Sequence, residues 1–202
     1  MFYLLDALFP PREDEKIVRE LPPEALLTYL TPQLVSATRP RTVALLPFTE
    51  PVVRSAIHEA KYHGSPRALA LLAHVLTTHL TTYEPESPAA ILVPIPLGTQ
   101  RRRERGYNQI EEIAKRAVRK LEVTLVPTLL ERTRETVSQI SLPRRAREEN
   151  MRGAFKASSP LDPRGTYIVV DDVLTTGATL QAALDALRAA GAEHIVPLAL
   201  AH

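Results

Sequence analysis

The sequence predicts an α/β fold in which helices flank a largely parallel sheet, with a short helical appendage at the N-terminus. Two observations predict it. From residue 41 onward, apolar runs typical of strands alternate with stretches of helical periodicity, which is the pattern of an α/β domain. Before residue 41, prolines separate short helical stretches. We therefore predict a helical N-terminal segment over residues 1–40 and a single domain over residues 41–202.

Each predicted element follows from its local pattern. In the N-terminal segment, apolar periodicity predicts short helices over residues 2–9, 13–20 and 23–30. In the domain, apolar runs predict strands over residues 43–48, 89–96, 122–127, 166–170 and 194–200. Helical periodicity predicts helices over residues 51–62, 66–82, 107–120 and 178–190. In such sheets ligands bind outside the carboxyl ends of the strands, so the loops that follow strands are the candidate sites.

Composition limits the classes of function. With 45% hydrophobic and 24% charged residues, the chain should fold as a globular protein. No apolar run is long enough to span a membrane and the N-terminus lacks a basic signal sequence, so we expect a cytoplasmic protein without membrane contact. The absence of cysteine excludes disulfides and thiolate catalysis. The net charge of +2 is too small to support nucleic-acid binding through the overall field.

Histidine spacing predicts no metal site. The pairs His58/His63 and His74/His79 are each separated by five positions, which is a poor spacing for one helical face. We interpret all four as ordinary surface or boundary residues. Basic residues, by contrast, cluster in two short segments, over residues 101–105 and 132–147, and each cluster is a candidate anion site.

The most informative segment is IVVDDVLTTGATL, residues 168–180. A buried strand stops at Asp171 and Asp172, and a Thr/Gly-rich loop then begins a helix. Helix N-termini and consecutive backbone N–H groups attract phosphate, whereas carboxylates accept hydrogen bonds from sugar hydroxyls, so a sugar phosphate satisfies both halves. The alternative is an acidic turn followed by an ordinary helix cap.

This segment closely resembles the signature of type I phosphoribosyltransferases, which bind 5-phosphoribosyl-1-pyrophosphate (PRPP). The resemblance implies a type I phosphoribosyltransferase-like, Rossmann-like sheet. It also implies that Asp171 and Asp172 are the catalytic pair that holds the ribose hydroxyls. The ribose 5-phosphate would lie in the loop formed by Thr175, Thr176, Gly177, Ala178 and Thr179.

A narrower resemblance covers much of the chain. The stretch LVPIPLGTQRRRERGYNQIEEIAK is similar to the ComF family, named for a competence protein linked to DNA uptake, in which a Pro-x-Pro-Leu turn precedes Arg-Gly-Tyr-Asn-Gln. The resemblance implies a pyrophosphate loop over residues 93–98, with binding residues Pro94, Ile95, Pro96, Arg102 and Arg105. The alternative is a proline turn before a solvated basic helix.

A second ComF-like segment, RTRETVSQISLPRRAREENMRGAF, resembles the mobile lid that closes over PRPP in related transferases. A long polar stretch inside a compact domain is itself typical of a lid. The predicted lid residues are Arg132, Gln139, Arg144, Arg147 and Asn150. The alternative is a solvated helix with mixed charges.

Two further points concern the rest of the resemblance. The segment Lys61 to Gly64 matches a Lys-Tyr-x-Gly pattern of the family, so Lys61 either approaches the ligand or, as the simpler interpretation, is solvated. Many relatives carry an N-terminal cysteine zinc ribbon near the position of Leu8-Phe9-Pro10. This chain has no cysteine, so we expect no zinc.

For an active transferase, the resemblance implies Mg²⁺ carried chiefly by PRPP, with no dedicated protein cage. The acceptor is not readable from the sequence. We therefore keep three functions: a ComF-type transferase acting on a nitrogen acceptor, a noncatalytic PRPP or nucleotide sensor, and a nucleobase salvage enzyme. Nucleic acid or competence proteins as partners, and an oligomeric state, also stay open.

Overall fold

The computed structural model describes residues 12–82, 90–134, 151–158 and 160–202. Its helices are α1 (Glu13–Glu20), α2 (Pro51–Tyr62), α3 (Pro66–Thr82), α4 (Thr99–Arg105), α5 (Gln109–Ala117) and α6 (Ala178–Ala189), with 3₁₀ turns at Ala25–Tyr29 and Val118–Lys120. Its strands are β1 (Gln33–Val35), β2 (Thr42–Leu46), β3 (Ala90–Pro94), β4 (Thr124–Leu125), β5 (Leu130–Arg132), β6 (Phe155–Ala157), β7 (Thr166–Val173) and β8 (His194–Ala201). Within those ranges, no helix has the length and apolar character of a membrane-spanning segment.

The main sheet has six strands in the order β1-β2-β8-β7-β3-β4. All neighbouring strands are parallel except the edge pair β1 and β2. In the centre of the sheet, Val169 lies opposite Val93 on one side and Pro197 on the other. The predicted α/β fold with a largely parallel sheet and flanking helices is confirmed.

The strand β7 shows why the sheet is buried on both faces. Its residues Thr166–Val170 are all buried, and successive side chains point to opposite faces of a strand. Ile168 and Val170 join the apolar cluster that includes α1, α2, α3 and α5, whereas Tyr167 and Val169 join the cluster that includes α6. A run of consecutive apolar residues therefore marks this strand, because both faces need them.

The N-terminal residues 12–40 pack onto the same core. Val18 of α1 and Leu26 of the first 3₁₀ turn are each 1% exposed within the larger apolar cluster. The segment also supplies a strand, since Gln33–Val35 pairs antiparallel with β2, where the sequence predicted only helices. A further local difference is α4, seven residues long, which the sequence did not predict because it has no apolar residue to show a helical period. The predicted boundary between an N-terminal segment and the domain at residue 40 stays a prediction.

A two-stranded antiparallel sheet of β5 and β6 lies outside the main sheet and packs near α6. Leu130 pairs with Ala157 and Arg132 with Phe155, so the two ends of the predicted lid come together at Arg132 and Phe155. The other predicted lid residues, Gln139, Arg144, Arg147 and Asn150, lie outside the described residues.

Candidate active site

A cavity of about 950 Å³ lies over the carboxyl ends of β3 and β7. It brings together residues from every motif that the sequence predicted as part of a site. The members of the predicted set that line it are Asp171, Asp172, Thr175, Thr179, Ile95, Pro96, Arg105 and Arg132. This position is the one that a parallel sheet favours for ligands.

The acidic pair lies within the carboxyl end of β7 rather than after the strand. Asp171 is paired in register with Ala199 of β8, and β7 continues to Val173. Asp172 is 7% exposed, and its Oδ2 accepts a hydrogen bond from Gln109 Nε2 at 2.7 Å and lies 3.1 Å from Lys61 Nζ. Its Oδ1 accepts from the backbone N–H of Val173 at 2.7 Å. Asp172 is therefore a buried carboxylate with full compensation for its charge.

Asp171 has a different environment. Burial, and then the neighbouring Asp172 carboxylate, raise the pKa of Asp171 from 3.8 to about 7. The Lys61 ammonium acts against this shift but forms its ion pair with Asp172. Asp171 lines the cavity, so a cation or a hydroxyl donor that arrives there would stabilise its ionised form. The two adjacent acids thus have distinct chemistry.

The loop over residues 175–179 leads directly into α6. Leu174 anchors its start by donating from its backbone N–H to the carbonyl of Ala201 at 2.8 Å. The loop residues and Asp171 line a small recess of about 20 Å³. Because the first N–H groups of a helix have no intrahelical partner, this recess combines helix-terminal amides with threonine hydroxyls, as an anion site requires.

Gly177 is needed in this loop for two reasons. Its φ is +79°, in the left-handed region that favours glycine. In addition, a Cβ at this position would lie 2.6 Å from the carbonyl oxygen of Ala37. The neighbouring backbone N–H of Arg39 donates to Gln181 of α6 at 2.8 Å. Residues of the N-terminal segment therefore support the loop from behind.

The predicted pyrophosphate loop follows β3. Ile95 and Pro96 line the cavity, and the backbone N–H of Ile95 donates to the carbonyl of Val170 at 3.0 Å, which ties this loop to β7. Asn108 caps α5 and also donates from Nδ2 to the Ile95 carbonyl at 2.9 Å. Pro94 is the last residue of β3 and is buried outside the cavity lining.

The basic helix α4 presents only some of its arginines to the cavity. Arg105 lines the cavity, as predicted, and Arg101 does so as well. Arg102, which the sequence also predicted, is exposed and is not among the lining residues. Since a helix turns by about 100° per residue, adjacent arginines cannot all face one ligand.

A chain of contacts links the Arg-Gly-Tyr-Asn-Gln motif and the segment that begins at Lys61 to the acidic pair. Arg105 Nη1 donates to Gln109 Oε1 at 3.1 Å, Gln109 donates to Asp172, and Asp172 pairs with Lys61. The interpretation of Lys61 as a solvated residue is wrong, because its side chain is only 24% exposed and lies at the site. Gln109 was not among the predicted residues, although it belongs to the Arg-Gly-Tyr-Asn-Gln motif, which was its only signal.

Tyr107 fixes the end of α2 beside this network. Its hydroxyl donates to the carbonyl of Ala60 at 2.8 Å, and its ring lies 3.3 Å from where a Cβ on Gly64 would be. Burial raises the pKa of the Tyr107 hydroxyl above its ordinary value. Arg105, two residues before it, lies over the ring of Tyr62, 5.0 Å from the centroid. The two motif segments therefore pack against each other.

Of the predicted lid residues, Arg132 is the one that lies among the described residues. It lines the cavity, and its guanidinium lies 5.7 Å from the centroid of the Phe155 ring. The strand pairing of β5 with β6 sets this position, because Arg132 and Phe155 are register partners. An arginine at the base of the predicted lid thus faces the same space as the acidic pair.

His58, Glu59 and His63 bring ligand atoms within 4.8 Å of one another, which the spacing argument did not anticipate. His63 reaches the group because it lies just past the end of α2. Both Glu59 oxygens, however, accept hydrogen bonds from Arg12, at 3.2 and 3.0 Å. A guanidinium that neutralises the central carboxylate in this way argues against a metal at these residues.

Comparison with known proteins gives the class of the domain. Residues 111–201 match the family model described as "Phosphoribosyl transferase domain". The matched range contains the acidic pair, the loop that follows it and α6. This part of the chain therefore matches the phosphoribosyltransferase domain family.

Two relatives indicate the particular family. The chain is 33% identical to "Competence protein F" of Haemophilus influenzae over 116 residues, which are 56% of this chain and 50% of that protein. It is also 33% identical to "DNA utilization protein YhgH" of Escherichia coli K12 over 135 residues, 64% of this chain and 58% of that protein. The predicted resemblance to the ComF family of phosphoribosyltransferase-like proteins is confirmed. The matches span between half and two thirds of these relatives' length.

Proposed function

We propose that this protein binds PRPP together with Mg²⁺ and transfers the phosphoribosyl group to a nitrogen acceptor, with release of pyrophosphate. The observation that carries the proposal is one cavity in which a carboxylate pair, a helix-terminal loop and a basic helix converge. These three features are complementary to the ribose hydroxyls, the 5-phosphate and the pyrophosphate of one ligand.

Each part of the cavity has a role in this proposal. Asp171 and Asp172 accept hydrogen bonds from the ribose hydroxyls, and the loop over residues 175–179 binds the 5-phosphate through backbone N–H groups and threonine hydroxyls. Arg101 and Arg105 line the side next to the loop at Ile95 and Pro96, and there they stabilise the departing pyrophosphate. Arg132 adds a further positive charge from the base of the lid.

The residues present fit a ligand that carries Mg²⁺. Asp171 is a carboxylate with a raised pKa and no cation as its own ion-pair partner among the described residues, so a divalent cation near it would remove an electrostatic cost. When bound, Mg²⁺ would supply charge neutralisation for the phosphate groups. The protein contributes orientation and the exclusion of water.

The proposed transfer is balanced without a further reactant. The lone pair of the acceptor nitrogen forms a bond to C1 of the ribose, and the bond from C1 to the pyrophosphate oxygen breaks with its electron pair on pyrophosphate. The acceptor proton is released to water. Preorganised positive charge around the leaving group supplies most of the rate in such a reaction.

The names of the relatives give a biological setting. They connect those proteins with competence and with DNA utilisation. By extension, we propose that the acceptor reaction serves the use of incoming DNA. The modest net charge of +2 gives this link no independent electrostatic support.

Pyrophosphate release across a panel of nucleobases and aromatic amines tests the transfer. We expect release that depends on PRPP, Mg²⁺ and one class of acceptor, and that Asp171→Asn/Asp172→Asn abolishes. Arg119→Gln, an exposed arginine outside the cavity lining, is the matched control and should keep the activity. Tight PRPP binding without release from any acceptor would replace the transferase with the noncatalytic sensor.

A further inference from the structure

The proposed function leaves one wall of the cavity without a role. Arg54, His58 and Tyr62 of α2 all line the cavity and all are exposed. Their spacing of four residues places them in one row along the helix. We call this row the α2 wall. It faces the same cavity as the acidic pair, so an acceptor that lies over the ribose would meet it.

Tyr62 provides an aromatic surface in the α2 wall. Its side chain is 52% exposed, which makes it one of two large exposed hydrophobic residues in the described part of the chain. The guanidinium of Arg105 lies 5.0 Å from its ring centroid, and the His58 ring centroid lies 4.8 Å away. Aromatic and guanidinium groups packed around a half-exposed ring hold it in place for stacking. This surface suits a planar ligand.

Arg54 provides a positive charge that no described carboxylate neutralises. The one hydrogen bond that its side chain makes among the described residues goes from Nη1 to the backbone carbonyl of Thr49, at 3.1 Å. Lys61, two turns further along α2, is already paired with Asp172. An arginine that faces a cavity and lacks a carboxylate partner is suited to bind an anionic group of a ligand, because its planar donors match a carboxylate.

His58 is held in a fixed position between these two residues. Its Nδ1 lies 2.9 Å from Asp14 Oδ2, and the other oxygen of Asp14 accepts a hydrogen bond from Ser55 at 2.7 Å. This contact fixes the ring and leaves Nε2 as the nitrogen that can hydrogen-bond a ligand. The α2 wall is therefore held from behind by helix α1.

We propose that the α2 wall binds the acceptor, and that the acceptor is a planar ring that carries an acidic substituent. Tyr62 would stack on the ring and Arg54 would pair with the acidic group. A neutral ring would leave Arg54 without an anionic partner, so the wall favours an acidic ring over a neutral one. This inference rests on the proposed function and narrows its substrate class.

Three matched pairs of ring compounds test the inference, because each pair differs by one acidic group: orotate and uracil, nicotinate and nicotinamide, anthranilate and aniline. We would measure their binding to the full chain saturated with Mg²⁺ and PRPP, by ligand-observed NMR, together with pyrophosphate release. In at least one pair, the acid should bind at least about tenfold more tightly than its neutral partner.

Variants then assign the preference to the α2 wall. Arg54→Gln should abolish the preference for the acid and leave the calorimetric binding of Mg²⁺ and PRPP unchanged. Tyr62→Ala should weaken both members of a pair alike. Arg119→Gln, an exposed arginine outside the cavity lining, should keep the preference. Arg54 is exposed and its loss should not affect folding, which a thermal melt checks.

The outcomes separate the two proposals. If PRPP binds and no acid is preferred in any pair, or if Arg54→Gln keeps the preference, the inference is wrong and the proposed function stands. If the wild-type chain does not bind PRPP, the proposed function fails and the inference fails with it.

Discussion

The two halves of the cavity are built in different ways. The floor, which comprises the acidic pair and the loop over residues 175–179, comes from one continuous segment that runs from β7 into α6. The three residues of the α2 wall also lie on one helix, but contacts with segments far apart in the sequence hold them, such as Asp14 with His58 and Arg105 with Tyr62. We therefore expect the proposed PRPP-binding floor to be recognisable from one sequence motif, whereas the setting of the proposed acceptor wall depends on tertiary contacts.

The largest expected effect is at the floor. Gly177→Ala should lower the free energy of unfolding by about 3 kcal/mol or more, because it combines an unfavourable φ with a clash against the Ala37 carbonyl. Gly106→Ala is the matched control, since Gly106 has a similar φ of +77° but no atom within 4 Å of the added Cβ. It should cost only about 1 kcal/mol. Urea unfolding measures both, and equal costs would contradict the role of Ala37.

The next largest effect is expected at Lys61, which links helix α2 to the acidic pair. Lys61→Met should lower the free energy of unfolding by about 2 kcal/mol, because it leaves the buried Asp172 carboxylate without its cation. It should also raise the pKa of Asp171 further, since Lys61 now lowers it. Lys115→Met removes a 45% exposed lysine and should change stability by less than about 1 kcal/mol. Equal effects of the two substitutions in urea unfolding would contradict the ion pair.

The raised pKa of Asp171 predicts a dependence on pH. Between 3.8 and about 7, the folded state binds more protons at Asp171 than the unfolded state does. The contribution of Asp171 to the free energy of unfolding should therefore fall as pH rises through this window, by at most about 1.4 kcal/mol per unit. Asp171→Asn should remove this dependence. Parallel pH profiles of the two proteins in urea unfolding would show that the pKa is not raised.

Ligand binding should show the opposite dependence. Mg²⁺ and PRPP favour the ionised carboxylate, so their affinity should increase as pH rises through about 7. The same titration on Asp171→Asn should lose this increase. An affinity of the wild-type protein that is constant between pH 6 and pH 8 would contradict the assignment of Asp171 to the ligand.

The smallest effect concerns the anchor of the α2 wall. Tyr107→Phe removes the hydrogen bond to the Ala60 carbonyl and should cost about 1 kcal/mol of unfolding free energy. Tyr62→Phe is the control, because Tyr62 is exposed, and it should change stability by less than about 0.5 kcal/mol. Equal melting temperatures for the two variants would show that the hydroxyl of Tyr107 does not anchor α2.

Much of the fold could be predicted from the sequence because its strands are buried on both faces. The apolar run at Thr166–Val170 and the long periodic helices give strong local signals. The strand Gln33–Val35 and the small sheet of β5 and β6 give weak local signals, since three-residue strands show no clear period. Helix α4 was missed because its residues are polar throughout.

The residues of the candidate site also differ in how far the sequence could predict them. Asp171, Asp172 and the loop over residues 175–179 could be predicted because one strand and one helix position them. Gln109 could not, because its role depends on where α5 places it relative to β7, at a separation of 63 residues. The sequence also lacks a signal for His58, since its contact with Asp14 and its place at the cavity depend on the fold.

The most direct test of the central claim is a calorimetric titration of Mg²⁺ and PRPP into the wild-type chain and into Asp171→Asn/Asp172→Asn. The two substitutions keep the size of the side chains and remove their charge. We expect a clear binding heat for the wild-type chain and none for the double variant. Equal heats for the two proteins would contradict the assignment of the acidic pair to the ribose of PRPP.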